Sequence, residues 1–522
     1  MLEKHKSRIG KNLIKMVMFQ MYGDSKLIYR EYIQNSRDAI NDAVRWGILD
    51  KVTAGRIVVT IDRENRKIEI RDNGTGISVN RAESLLLNIA DSEKDGENSA
   101  GQFGIGRLVG GYFCKKLTFK TSYRGENCAS EIVFDIDKIK YVLDDEDDRR
   151  EATEIIDDTT YRNVYDEEIQ DHYFVVTLED VNIDEYPELL DEDIIKDYLR
   201  EVAPIDFSVP FKNQVVEPSI NAEYEVLLSK IGWFQISVNG ESLHKKYGLS
   251  IEGTGDKIIG LEFFRFTDSR YGLLAWGWYA VTHLTKAIPV SDDKSCFRVR
   301  KHNIQVGEKD FLTSFFPKGE SRGNKYFYGE IHVVNNKIKL NSARDGFAPT
   351  PEGEVLKVNL RNFCAELVKI YHLANTVKNS ISKVLDDKTI TDQKVKEEKI
   401  NSVVQSFEDK KNSQSNVAKT IIKSYQDKAK EKINPLVVRE SEISSNPTIK
   451  SKEEKECTEQ KSQSKQVDIY EGLDKFYTEK EIILIKRIFK ILFEGTSSVK
   501  KFKEVVEALQ TFVINKLKNE KF

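Results

Sequence analysis

Three stretches near the start of the 522-residue chain hold side chains and backbone whose spacing could do chemistry. In Leu27-IYREYIQNSRDAIND, Glu31, Asn35 and Asp38 stand at i, i+4 and i+7. They form one polar stripe of a helix beside apolar Ile28, Ala39 and Ala43. Such a stripe is ordinarily a solvated face, but a mid-helix Asn is a poor helix former and points to another task. In Ile68-EIRDNGTGIS a strand runs into Asp72, and Asn73-Gly74-Thr75-Gly76 turns tightly enough to leave room for a flat ligand. The Asp72 carboxylate could accept a hydrogen bond from an exocyclic amine, although the motif alone is also ordinary turn chemistry. In Ser99-AGQFGIGRLVGG, Gly101, Gly104 and Gly106 precede a helical pattern, so unhindered N–H groups and a helix N-terminus can face phosphate oxygens. The stretch lacks GxxxxGK(S/T) and does not follow a first strand as a dinucleotide fingerprint does.

Periodicity predicts the elements that must position these stretches. Gly10 to Tyr22 carries Leu13, Ile14, Val17, Met18 and Met21 at helical spacing. A second helix opens at Asp24 or Ser25, either a good N-cap, and ends at Trp46-Gly47. Arg56-IVVTID and Lys67-IEIRD alternate with period two around Arg63-Glu-Asn-Arg and predict a hairpin. A helix over 80–89, a polar stretch over 90–101 and a helix over 104–113 follow, then strands at Lys116-LTFKTSY, Ala129-SEIVFDI and Tyr173-FVVTLEDV. The acid-rich stretch 141–171 reads as a solvated insertion, and Asp191 to Val202 as a helix stopped by Pro204. This order predicts an α+β sandwich with helices gathered on one face of a hairpin-linked sheet.

Ile258-IGLEFFRF, Leu273-LAWGWYAV, Phe297-RVRKHNIQV and Lys325-YFYGEIHVV predict a second α+β domain closed by a helix over 352–373. Beyond 378 a weak helical period persists through Val395, Ile400, Val403 and Phe407, then Val417, Ile421 and Tyr425. Residues 434–467 read as a disordered linker. Two helices close the chain: Thr478-Glu-Lys-Glu481 is a capping box, and Val499, Phe502, Val506, Leu509 and Val513 form a seam. The expected domains are 1–205, 206–377, a charged linker 378–467 and a helical tail 468–522.

Hydrophobic residues at 39% allow sizeable cores, and a formal net charge of −4 argues against a chain-wide nucleic-acid footprint while leaving room for a local basic patch. Cys114, Cys128, Cys296, Cys364 and Cys457 are scattered without CxxC, which implies neither a disulfide framework nor a zinc site. No apolar run reaches bilayer length and the N-terminus lacks a signal-peptide pattern, so the expectation is a soluble cytoplasmic protein with no membrane partner.

In this order and spacing the three stretches resemble the GHKL ATPase superfamily over roughly residues 10–180. That superfamily takes in DNA gyrase, the ninety-kilodalton heat-shock chaperones, histidine kinases and MutL. The resemblance implies a Bergerat-type sandwich that binds ATP and Mg. By it Glu31 matches the general base that polarises water, and Asn35 the Mg ligand. Asp72 matches the carboxylate that reads the adenine amino group, Gly74 and Gly76 lie beside the base, and Asp38 approaches the nucleotide through water. Ala90 to Gly101 matches the mobile lid, with Ser92 and Lys94 like its Ser-x-Lys. Gly101, Gln102, Phe103, Gly104, Ile105, Gly106 and Arg107 match the phosphate-cradling turn.

Lys339-LNSARDGF resembles the Leu-Asn-x-Ser-Arg loop of the heat-shock chaperones' middle domain, which makes Arg344 the arginine that reaches the γ-phosphate on closure. The alternatives are a local pair with Asp345, or Lys337 or Lys339 as the sensor. The chain departs from those chaperones at Arg107, where they have Phe, and at His172-Tyr173-Phe174, where a Gly-Thr pair is usual. Their large dimerisation domain has no counterpart. The resemblance thus implies an Mg-dependent ATPase, a conformational clamp that pairs with a second protomer and holds a protein client. Rival readings are a DNA clamp of MutL or MORC type in a phage-defence or restriction-type system, and an ATP sensor without turnover. The DNA clamp would draw its contacts from 378–432 and Arg298 to Lys301.

Overall fold

The alternation of the first hairpin becomes a buried face: Ile57, Val59, Ile61, Ile68 and Ile70 point into one core while Arg56, Val58, Thr60 and Arg71 are exposed. A computed structural model describes residues 10–19, 24–88, 106–251, 254–289, 292, 294–341, 344–409 and 415–433. Strands β1 (Arg56–Asp62), β2 (Lys67–Asp72), β3 (Lys116–Ser122), β4 (Cys128–Asp135), β5 (Thr160–Asp166), β6 (Tyr173–Glu179), β7 (Gln235–Val238) and β8 (Glu241–Ser242) form one sheet. Its order is β5-β4-β3-β6-β2-β1-β7-β8, antiparallel except between β1 and β7. Two of its strands therefore come from beyond residue 205.

The helices of this half are α1 (Asn12–Phe19), α2 (Leu27–Arg45), α3 (Val79–Leu87), α4 (Ile136–Asp144), α5 (Ala152–Thr159) and α6 (Glu192–Val202). Ile28, Ile33 and Ile40 of α2 share a core with Ile70, Phe119 and Leu178 of the sheet and with Ile195 and Leu199 of α6. Each such side chain contributes about 1.5–3 kcal/mol on burial, which fixes α2 firmly enough to present a site.

Several elements differ from the sequence expectation. α2 begins at Leu27 with no side-chain cap; the Asp24 carboxylate takes the Lys26 N–H at 3.0 Å instead, and the Ser25 hydroxyl donates to Glu188. The acid-rich stretch is not a solvated insertion. Ile139, Leu143, Ile155 and Ile156 sit at helical spacing among the acids and are buried, so they build α4 and α5, and β5 becomes the sheet edge. Gly106–Phe113 is a 3₁₀ helix, consistent with Gly110 and Gly111, whose α-helical propensity is poor.

A second sheet holds β11 (Gly260–Asp268), β12 (Gly272–Val281), β13 (Cys296–Lys301), β14 (Ile304–Gln305) and β15 (Tyr328–Val333) in the order β11-β12-β15-β13-β14. A small ladder, β9 (Ser250–Ile251) with β10 (Asp256–Lys257), precedes it. Phe297 to Val306, expected as one strand, breaks at His302-Asn303, both at positive φ, into the hairpin β13–β14. Trp276 and Trp278 pack with Phe207 and Phe211 on one face of the sheet. On the other, Ala275 and Tyr279 share a core with Leu356, Leu360 and Cys364.

Those last residues lie on a helix running Pro351–Asp386, longer than the expected 352–373 because Ala374, Val377 and Ile381 prolong its buried stripe. Helices Gln393–Glu408 and Asn416–Ile433 pack there through Ile400, Val404, Ile421 and Ile422. Of the expected linker 378–467, residues up to 433 thus supply packed helices; the stretch 434–467 and the terminal helices lie outside the described residues. Among the described residues no helix is long and apolar enough to cross a membrane.

Candidate active site

The site forms where α2 meets the end of β2. The turn after β2 docks on the helix backbone, Thr75 N–H donating to the Ala39 carbonyl at 3.2 Å. The approach is too close for a side chain at Gly74, whose Cβ would stand 2.6 Å from that of Ala39. Gly76 has φ +65° and a Cβ there would lie 1.8 Å from the Ser122 carbonyl oxygen, so only glycine completes the turn. Asp72 is buried, and its Oδ1 accepts the Gly74 N–H at 2.8 Å. His172 closes the other side of the turn, its Nδ1 2.8 Å from the Gly74 carbonyl oxygen. Both polar backbone groups of Gly74 are thereby engaged.

Along α2, Glu31 and Asp38 are buried while Asn35 between them, and Ala39 just beyond, are half-buried, so the stripe is partly open at its middle. Asp38 pairs with Arg37 at 2.9 Å. Burial lowers the Arg37 guanidinium from its usual value, and the Asp38 charge opposes that shift. Glu31 is 1% exposed. Its Oε2 lies 2.7 Å from Arg344 Nη1, which also donates to the Gln34 side chain. Its Oε1 stands 3.7 Å from Arg30 Nη2 and has no hydrogen-bond partner. A buried carboxylate oxygen without a donor is costly.

Arg344 thus faces α2 of the first sheet's half; its neighbour Asp345 accepts from Asn341 Nδ2 at 2.6 Å. The loop holds Arg344 at φ +56°, a strained backbone for any residue other than glycine. Lys301 is also buried at this junction: burial, then Lys339 and Arg37, push its ammonium down to about 8. Gly106 and Arg107 open the 3₁₀ segment, which Tyr32 of α2 anchors by donating to the Arg107 carbonyl and accepting the Gly110 N–H, both at 3.0 Å. The expected site residues Ser92, Lys94, Gly101, Gln102, Phe103, Gly104 and Ile105 lie outside the described residues. Among the described residues no cluster of three or more His, Cys, Asp or Glu could hold a metal.

The structure brings Glu31, Asn35 and Asp38 onto one helix, docks the Gly74 turn against it, and sets Arg344 on Glu31. Gln34, Arg30 and the His172 contact are absent from the sequence expectation. Gln34 had a visible signal, since it lies one turn beyond Glu31.

Residues 26–161 match the family model described as histidine kinase-, DNA gyrase B-, and HSP90-like ATPase. The chain is 32% identical over 133 residues to the chaperone protein HtpG of Halalkalibacterium halodurans, covering 22% of this chain and 21% of that protein. It is 26% identical over 226 residues to HtpG of Fusobacterium nucleatum subsp. nucleatum, covering 40% of this chain and 33% of that one. The chain therefore spans a fifth to a third of the length of these relatives. The matched residues carry α2, the β1–β2 hairpin, β3 and β4, so this part of the first sheet is similar to the histidine kinase-, DNA gyrase B-, and HSP90-like ATPases.

Proposed function

We propose that the chain is an Mg-dependent ATPase that uses the nucleotide to drive a chaperone-like conformational clamp on a protein client. The Glu31 carboxylate carries this reading: it is buried, one oxygen lacks a donor, and the other is held by an arginine from the loop that follows β15. In this reading Asp72 receives the adenine amino group and Gly74 and Gly76 leave room for the ring. The lid over 90–101, with Ser92 and Lys94, and the turn Gly101 to Arg107 surround the phosphates.

Asn35 suits Mg: a half-buried amide side chain one turn from Glu31 is the sparse protein ligand this ion accepts beside phosphate oxygens and water. Bound there, Mg would neutralise phosphate charge. Arg344 exchanges its hold on Glu31 for the phosphate, and the freed carboxylate takes a proton from the attacking water. Closure then pairs the chain with a second protomer. The net charge of −4 and the chaperone relatives favour a protein client over DNA.

The test is phosphate release by the full chain with ATP, with and without Mg. Slow release that stops when Mg is chelated is expected; no release under either condition would overturn the enzymatic reading in favour of a sensor.

A further inference from the structure

Behind Arg344 lies a group of buried charges that the proposed chemistry does not use. Glu330 of β15 is 0% exposed, and Arg300, Lys245 and His332 are buried around it. Glu330 Oε1 accepts from Arg300 Nε at 2.6 Å and from the Tyr247 hydroxyl at 3.0 Å. Its Oε2 accepts from Lys245 Nζ at 2.8 Å and lies 3.1 Å from His332 Nε2. Burial alone would raise the Glu330 carboxyl, yet Arg300 and Lys245 hold it well below its usual range, so it stays an anion.

This cage reaches out of its own sheet. Arg300 Nη2 donates to the Glu201 carbonyl at 2.6 Å, in the last turn of α6, where carbonyls lack intrahelical partners and a cation also meets the helix dipole. The Glu201 carboxylate in turn receives Arg298 Nε at 3.1 Å and Gln305 Nε2 at 3.3 Å. Asn303, at the hairpin turn, accepts Lys245 Nζ at 3.2 Å and donates to the Gly232 carbonyl at 2.9 Å, ahead of β7. The hairpin β13–β14 is therefore fastened to the first sheet's half at two points.

From the hairpin the contacts run on to Arg344. Gln305 Nε2 also donates to the Gly307 carbonyl at 3.1 Å, and Gly307 N–H donates to the Arg344 carbonyl at 3.2 Å. Gly307 has φ +64°, and a Cβ there would stand 2.9 Å from the Asp345 carbonyl oxygen. α6 meanwhile neighbours α2, with the Lys26 ammonium 5.9 Å from the Tyr198 ring centroid.

We infer that the Glu330–Arg300–Lys245 cage and the β13–β14 hairpin form a positioning device for Arg344. By tying the hairpin to α6 they fix where the Arg344 backbone, and so its guanidinium, meets Glu31. The inference rests on the reading of Glu31 and Arg344 as parts of one reaction. Glu330, Gln305 and Glu201 are positioning residues that need touch no nucleotide.

The experiment is steady-state phosphate release by the full chain carrying Gln305→Ala, Glu201→Gln or Glu330→Gln, each alone and combined with Arg344→Ala. Each single variant is expected to lower kcat by about three- to tenfold with KM for ATP unchanged, and to cost nothing further once Arg344 is Ala. A merely structural role would instead give losses that multiply in the Arg344→Ala background, and that result overturns the inference. So does an unchanged kcat in both Gln305→Ala and Glu201→Gln, which leave the side chains of the Glu330 cage in place and keep the test open should Glu330→Gln fail to fold. Wild-type turnover by Arg344→Ala alone is the separate signature of failure in the reading beneath, and it takes this inference with it.

Discussion

The hairpins β1–β2 and β13–β14 use one topology in opposite ways. In β1–β2 the turn is wet: Glu64, Asn65 and Arg66 are exposed, and Asp72 sits at the far end, where the strand delivers it to α2. In β13–β14 the turn residue Asn303 is itself buried, and all of β13 is buried although it carries Arg298, Arg300 and Lys301. The first hairpin is held by apolar alternation. The second is held by ion pairs and hydrogen bonds to distant backbone. A period-two pattern announces a strand; it does not say which side of that strand meets water.

The contrast can be broken at its charges. Arg300→Ala strips the buried carboxylate of a partner and should destabilise the chain by about 3–5 kcal/mol, whereas Arg66→Ala, at the wet turn in its exposed pair with Asp180, should cost under about 1 kcal/mol. Urea midpoints of the two variants make the comparison directly. Arg344→Ala comes next: if the residue acts as an arginine finger, kcat should fall about 10³-fold with ATP affinity retained, and phosphate release beside nucleotide titration checks it. Asp72→Asn, at the end of the first hairpin, replaces the acceptor proposed for the adenine amine. It should weaken ATP binding about a hundredfold or more by titration, the discrimination expected when a site loses a polar match.

A separate effect is in pH. Burial pushes His302 down to about 3 and His332 to about 4, from an ordinary value of 6.5. Below pH 6.5 the unfolded chain therefore takes up protons that the folded chain refuses, and stability falls as pH drops. The slope should reach about 1.4 kcal/mol per pH unit for each histidine and flatten toward pH 3–4. Urea midpoints at pH 7.5 and 5 should show the decline, and His332→Gln should remove about half of it.

The legible part of the site is the part whose geometry is local. Glu31, Asn35 and Asp38 share a helix face by spacing alone, and Asp72 precedes a glycine turn by hairpin logic. His172 stood in view as a departure from the family pattern, but its contact with Gly74 depends on β2 pairing with β6 in the register that sets Asp72 against Phe174. The partners of Gln34, Arg300 and Glu330 lie far along the chain or on another sheet, and no periodicity encodes them. The α4–α5 pair was hidden for a different reason: four buried apolar residues were outweighed by the acids around them.

In the proposed function Glu31 is the base of an ATP hydrolysis carried out at this site. Single-turnover phosphate release by Glu31→Ala, with ATP binding titrated on the same preparation, tests it most directly. Binding within about threefold of wild type, with release slowed by about 10² or more, is the expected result. Release at the wild-type rate would contradict it.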